Sequence, residues 1–169
     1  MEKKKINYIV LLIIIIVACL VMVLIGSLNK IIDNNKNKKS YIVIKVDSYS
    51  LEKIGEVYEK LSNNSFLYLS YVGDKRIYNL EKDLYKTLKK SKIVNSFIYV
   101  DCTDNINDKK IVGNLNDKLN IITDNQIVLP AIIYYKDNKP VDYIDSISSV
   151  LTYDKFIQLL DKWEIDSND

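Results

Sequence analysis

The stretch Phe66-Leu67-Tyr68-Leu69-Ser70-Tyr71-Val72-Gly73-Asp74-Lys75-Arg76-Ile77-Tyr78-Asn79-Leu80-Glu81-Lys82-Asp83-Leu84-Tyr85 decides the fold. Phe66 to Val72 is nearly all apolar, as an interior strand buried on both faces should be. Gly73 to Arg76 reads as a short polar turn. Ile77, Leu80, Leu84 and Leu88 then recur at helical spacing, while Lys82, Lys86, Lys89 and Lys90 fill the other side. An aspartate opening this helix, Asp74, is a good N-cap and suits the positive end of the helix dipole.

Upstream, Tyr41-Ile42-Val43-Ile44-Lys45-Val46 is short and β-branched, a strand by pattern. Asp47, Ser48 and Ser50 are capping candidates for a helix carrying Leu51, Ile54, Val57, Tyr58 and Leu61, which Asn63-Asn64-Ser65 ends. Downstream, Phe97-Ile98-Tyr99-Val100 is a third strand closed by Asp101, and Ile111, Val112, Leu115 and Leu119 outline a third helix. Ile127 to Tyr135 is a strand with Pro130 near its start. Lys136-Asp137-Asn138-Lys139-Pro140 reads as a hairpin turn, Val141 to Asp145 as its return strand. Thr152 caps a last helix with Phe156, Leu159, Leu160 and Trp163. The order β-α-β-α-β-α-β-β-α predicts an α/β domain, a mixed sheet with helices on both faces.

The N-terminal part differs in kind. Residues 1–7 form a basic flank, and no charge occurs from Ile6 to Asn29. The apolar run 8–28 is about 30 Å long as a helix, which matches a bilayer's hydrocarbon thickness. It predicts a transmembrane helix with the lipid bilayer as partner. Ile16-Val17-Ala18-Cys19 loosely resembles a lipoprotein cleavage box, but Leu20 to Ile25 continues the apolar run, so an uncleaved anchor is the better reading. Residues 29–40 read as a polar, solvated linker, 41–165 as the folded domain and 166–169 as a tail. The cluster Lys3-Lys4-Lys5 favours an inside N-terminus, with the domain outside the cytoplasm.

Composition removes several functions. The 169 residues include no His, so neither a Ser-His-Asp nor a Cys-His nucleophile can be written. Transition-metal sites lose their commonest ligand. The four glycines, Gly26, Gly55, Gly73 and Gly113, are too dispersed for a phosphate-binding loop. Asp101, Asp104 and Asp108 lack the spacing of an EF-hand and read as a solvated acidic loop. No metal or cofactor is expected. Residues 41–169 hold seventeen Lys and Arg against twenty Asp and Glu, which argues against nucleic acid as a partner.

The element order, the strand–turn–helix at 66–90, and Leu129-Pro130-Ala131 opening a strand before a turn resemble a thioredoxin-like domain over about 41–165. More narrowly the chain resembles membrane-anchored thioredoxin-like accessory proteins of Gram-positive bacteria, such as the bacteriocin-transport accessory proteins. The resemblance implies a cis Leu129–Pro130 bond packed against the turn. It also implies a Cys-Pro-x-Cys motif, whose cysteines fall on Asp74 and Ile77 and whose proline falls on Lys75. The sequence departs here, because no cysteine lies between Cys19 and Cys102. Dithiol exchange needs an attacking thiolate and a resolving thiol, and an aspartate replaces neither.

The expectation is therefore no catalytic residue and a binding role. Gly73, Asp74, Lys75, Arg76, Ile77, Leu129 and Pro130 form the candidate site, where a protein or peptide would add as a strand beside Val128 and Leu129. Tyr71 and Tyr78 flank it as candidate contact surface, whereas Tyr68, Tyr99 and Tyr134 lie inside strands and read as core or rim. The alternative is a thiol enzyme using Cys102 alone; against it, Cys102 also reads as a small half-buried residue closing a strand.

Overall fold

The computed structural model describes residues 2–36, 38–61, 63–106, 115–119, 126–146 and 151–165. The chain divides into two compact units, Met1–Lys38 and Lys39–Asp169.

The first unit is one helix, α1 (Glu2–Lys36). Within it Tyr8–Ile32, 25 residues, is long and apolar enough to cross a membrane. Gly26 and Ser27 do not break it, since the Ser27 hydroxyl folds back to donate to the Val23 carbonyl at 2.9 Å. The helix continues over 29–36, where a linker was expected. Neither Gly nor Pro interrupts that stretch, and Ile31 and Ile32 extend the apolar run.

The second unit is built on a five-stranded sheet in the order β1-β3-β2-β4-β5. The strands are β1 (Asp47–Ser50), β2 (Ser65–Ser70), β3 (Phe97–Asp101), β4 (Ala131–Lys136) and β5 (Lys139–Ile144). Between and after them lie α2 (Ile54–Tyr58), α3 (Lys75–Lys90), α4 (Leu115–Lys118) and α5 (Tyr153–Lys162). β1 and β2 run parallel to β3, and β4 is antiparallel to both β2 and β5. This mixed sheet with a cis Leu129–Pro130 bond leading into β4 is the thioredoxin-like arrangement that the resemblance implies. Of the expected third helix, Ile111 and Val112 lie outside the described residues, as do Asp108, Gly113 and the tail 166–169.

β2 is central, and all six of its residues are buried. Its side chains alternate between two cores. Leu67 and Leu69 meet Ile98, Val100, Ile133 and Tyr135 on the face covered by α2 and α4. Phe66 and Tyr68 meet Phe97, Tyr99, Ile132 and Tyr134 on the face covered by α3 and α5. That second core is aromatic. The Phe66 ring lies 5.0 Å from Tyr134, 5.8 Å from Phe156 and 6.3 Å from Phe97. Tyr68, Tyr99 and Tyr134 are core residues, as expected.

The expected first strand is corrected. Residues 41–46 form turns, with the Lys45 N–H donating to the Ile42 carbonyl at 2.8 Å, and the strand is Asp47–Ser50. Asp47 and Ser48 thus lie in β1, and Ser50 precedes a 3-10 turn, Leu51–Lys53, without a side-chain cap. The reason is that the stretch bonds locally, Ile42 and Val43 N–H donating to Ser40 Oγ and Lys45 N–H to the Ile42 carbonyl, while Tyr41 N–H donates to Glu81 on α3 and Ile42, fully buried, enters the aromatic core. The expected hairpin is present, but its turn is tighter than the Lys136–Pro140 reading, with Lys139 and Pro140 already in β5. Lys136 faces Lys139, and Asp137 and Asn138 take φ 52° and 60° between them. Such turns need a left-handed backbone, which Asn and Asp tolerate.

Phe66→Ala should destabilise the domain by about 3–5 kcal/mol, because the ring touches three others in a core with no solvent access. Equilibrium denaturant unfolding against Phe66→Leu, which keeps most of the volume, checks this.

Candidate functional site

After β2 the chain crosses Tyr71 to Gly73 and enters α3. Gly73 has φ +103°, a conformation that L side chains rarely adopt, and the space around its Cα is open. Asp74 caps the helix, its Oδ1 accepting from the Arg76 N–H at 2.7 Å. The Arg76 guanidinium closes back on the same carboxylate, with Nη2 to Oδ2 at 2.7 Å. This hydrogen bonding holds the Asp74 carboxyl below the usual carboxylate range. The turn is also fastened to β3. The Val72 N–H donates to Thr103 Oγ1 at 3.0 Å, and the Cys102 N–H donates to the Ser70 carbonyl at 2.8 Å.

Leu69 faces Ala131 in the β2–β4 ladder. Pro130 therefore lies at the end of the sheet from which the turn leaves. The backbone beside it is partly closed. The Val128 N–H donates to Asp145 Oδ2 at 3.1 Å, and its carbonyl accepts from the Ser146 N–H at 3.1 Å. The Pro130 carbonyl accepts from the Ser146 hydroxyl at 3.2 Å. Among the described residues, none bonds the N–H or the carbonyl of Leu129.

The candidate residues thus differ in what they offer. Gly73, Lys75 and Arg76 are exposed, and Asp74 and Leu129 are half-buried. Ile77, 4 % exposed, faces the core, and Pro130 is buried, so neither presents side-chain surface. Tyr71 and Tyr78 are half-buried, and Tyr78 is engaged edge-on by Tyr41 with ring centroids 5.7 Å apart.

Cys102 is fully buried in the core between α2, α4 and the sheet. Burial pushes its thiol up to about 12. Thiol chemistry requires the thiolate, which this site suppresses.

Glu81 went unread in the sequence. It follows Ile77 by four residues and precedes Leu88 by seven, so it shares their apolar face. It is 1 % exposed. Its Oε2 accepts from the Ser40 hydroxyl at 2.8 Å and from the Tyr41 N–H. Its Oε1, the hydroxyls of Tyr68 and Tyr99, and Ser70 Oγ are buried with no hydrogen-bond partner among the described residues. Desolvation raises the Glu81 carboxyl above its ordinary range despite the two donors.

No family model matches the chain, and no curated protein matches it. Solved thioredoxins resemble it at low identity. Thioredoxin f2 of Chlamydomonas reinhardtii is 15% identical, with a TM-score of 0.49 over 72% of this chain and 98% of that one. Oxidised thioredoxin O2 of Arabidopsis thaliana is 11% identical, with a TM-score of 0.47 over 70% and 93%. Thioredoxin of Trypanosoma brucei brucei is 15% identical, with a TM-score of 0.47 over 77% and 95%. The fold assignment stands on the strand order and register, and these scores add nothing to it.

Two outcomes follow from the buried groups. In the folded protein Cys102 should stay unmodified by an aromatic disulfide reagent at mildly alkaline pH, and react only once denaturant unfolds the domain; spectrophotometric titration on a Cys19→Ser background reads this. For Glu81 the raised value sets the sign. As pH climbs, the unfolded chain ionises first, so stability falls from the ordinary glutamate range up to the raised value and stays reduced above it. Glu81→Gln should abolish that decline and melt a few degrees higher than wild type at neutral pH. Glu81→Ala should be weaker at every pH, by about 1–3 kcal/mol, because it strands two donors. Thermal melts across the acid-to-neutral range decide between them.

Proposed function

We propose that the protein is a single-pass membrane protein carrying a redox-inactive thioredoxin-like domain that binds a protein or extended peptide at the cell surface. The observation that carries this reading is the Leu129 backbone, which no described residue bonds, at the end of the sheet from which a turn without thiols leaves. A free N–H and carbonyl at a sheet end are the groups that strand addition uses. The space around the Gly73 Cα is open, and Lys75 and Arg76 are exposed. The closed groups of Val128 limit pairing to a short register centred on Leu129.

Membrane anchoring rests on the apolar helix Tyr8–Ile32. An N-terminus on the inside puts the domain outside the cytoplasm, in keeping with Lys3, Lys4 and Lys5. Residues 29–40 then act as the connection between span and domain, most of it helical. A role in peptide or bacteriocin export, or in envelope maintenance, follows the resemblance to membrane-anchored accessory proteins. Two-thiol exchange has no residues to perform it, and the burial of Cys102 opposes a one-thiol enzyme.

The test is capture from envelope extracts of the host by the full chain in detergent, wild type against Asp74→Arg/Arg76→Glu. A partner held by wild type should be depleted about tenfold or more in the variant, since a recognition contact at an interface centre carries at least ~1.4 kcal/mol. The Leu129 amide should also gain protection from hydrogen exchange in the complex. A partner retained equally by both proteins, with Leu129 still exchanging freely, would refute the assignment of this edge as the binding site.

A further inference from the structure

Residues 40–45 form a strap over one flank of α3. Glu81 pins it at Ser40 and Tyr41, and Ile42 anchors it in the core. The Tyr41 ring packs against Tyr78 at 5.7 Å and Tyr85 at 6.3 Å. Lys45 Nζ sits 3.6 Å from the centre of the Tyr41 ring and 5.4 Å from that of Tyr85. Beside these tyrosines runs the outward stripe of α3, where Lys82, Lys86 and Lys89 are exposed at helical spacing.

The charge on this face is opposite to that of the rest of the domain. α3 holds six Lys and Arg against Asp83 and the buried Glu81, within a 41–169 region that is acidic overall. Asp83 is the one exposed carboxylate on the helix, and it pairs with Lys86 at 2.8 Å. Lys38 and Lys39, both exposed, precede the strap. The strap is also the point at which the chain enters the domain. Only seven residues separate Ile32, where the apolar run stops, from Ser40, where Glu81 takes hold. Residues 33–36 of these continue α1, so the connection is shorter than an extended chain of that length. A face with half-buried tyrosines flanked by lysines matches the chemistry of a headgroup layer, where amphipathic rings settle and cations are attracted.

We infer that the strap and the lysine stripe of α3 form a docking face for the anionic lipid surface of the membrane that α1 spans. This rests on the reading of α1 as a membrane span. The face lies on the side of the sheet covered by α3, so Lys53 and Lys60, which flank α2 on the other side, serve as internal controls.

The test uses the full chain in nanodiscs of phosphatidylcholine alone or mixed with phosphatidylglycerol. Lysine acylation by a water-soluble reagent is read by mass spectrometry. Lys82, Lys86 and Lys89 should react several-fold more slowly in the anionic discs, with the difference removed by high salt and Lys53 and Lys60 unchanged. Lys45 of the strap and Lys90 at the end of α3 should be slowed in the same anionic discs, and in Lys82→Glu/Lys86→Glu/Lys89→Glu, whose changes lie at exposed positions, that slowing should disappear. Equal rates in the two lipids, in a chain that alkaline carbonate leaves in the disc, would overturn the docking face and leave the anchor standing. A chain that carbonate strips from the disc would overturn both.

Discussion

The structure depends on the double burial of β2. A strand covered on both faces and hydrogen-bonded on both edges has no polar outlet, which favours apolar side chains from Ser65 to Ser70 and makes the Tyr68 hydroxyl and Ser70 Oγ costly exceptions. That demand organises the neighbours. β3 and β4 repeat the alternation opposite it, and the helices arrange themselves as two lids, one over aliphatic side chains and one over rings. The turn after β2 inherits its position from this arrangement. Whatever Gly73 to Arg76 does, it does at the end of the most constrained element of the molecule.

A second constraint works against the first. Glu81 lies on the side of α3 that faces the rings, and its carboxyl is desolvated, one of its oxygens without a hydrogen-bond partner among the described residues. The arrangement survives because the strap brings two donors to Oε2. A buried charge of this kind is a poor source of stability, but it fixes which segment can lie where. Here the segment it selects is the one through which the N-terminal helix is joined to the domain.

Most of the architecture was legible because it is written in periodicity. The strand at Phe66, the helix face Ile77-Leu80-Leu84-Leu88, the Asp137-Asn138 turn and the Thr152 cap all stand where their patterns put them. Thr152 accepts from the Lys155 N–H, as a cap should. The first strand was not legible, because Tyr41 to Val46 has the composition of a strand and the partners of a strap. β-branched residues say that a segment is buried, not what its backbone bonds to. Glu81 was hidden for the converse reason, since a single acidic residue on an amphipathic helix is normally solvated. The candidate site was legible as a place, from the turn and Pro130. Its open group could not be read, because whether the Leu129 backbone is free depends on where Asp145 and Ser146 fall.

The placement of Cys102 has a bearing on where such a domain can operate. Cys19 belongs to the apolar helix, which leaves Cys102 as the folded unit's one sulfhydryl, enclosed between sheet and helices. A domain built this way has the same covalent structure in an oxidising envelope as in a reducing cytosol. With one cysteine it can form no internal disulfide, so its folding needs neither a thiol oxidant nor a disulfide isomerase. It can be made, moved and stored on either side of a membrane without a change of state, indifferent to the redox poise that governs the enzymes whose fold it shares.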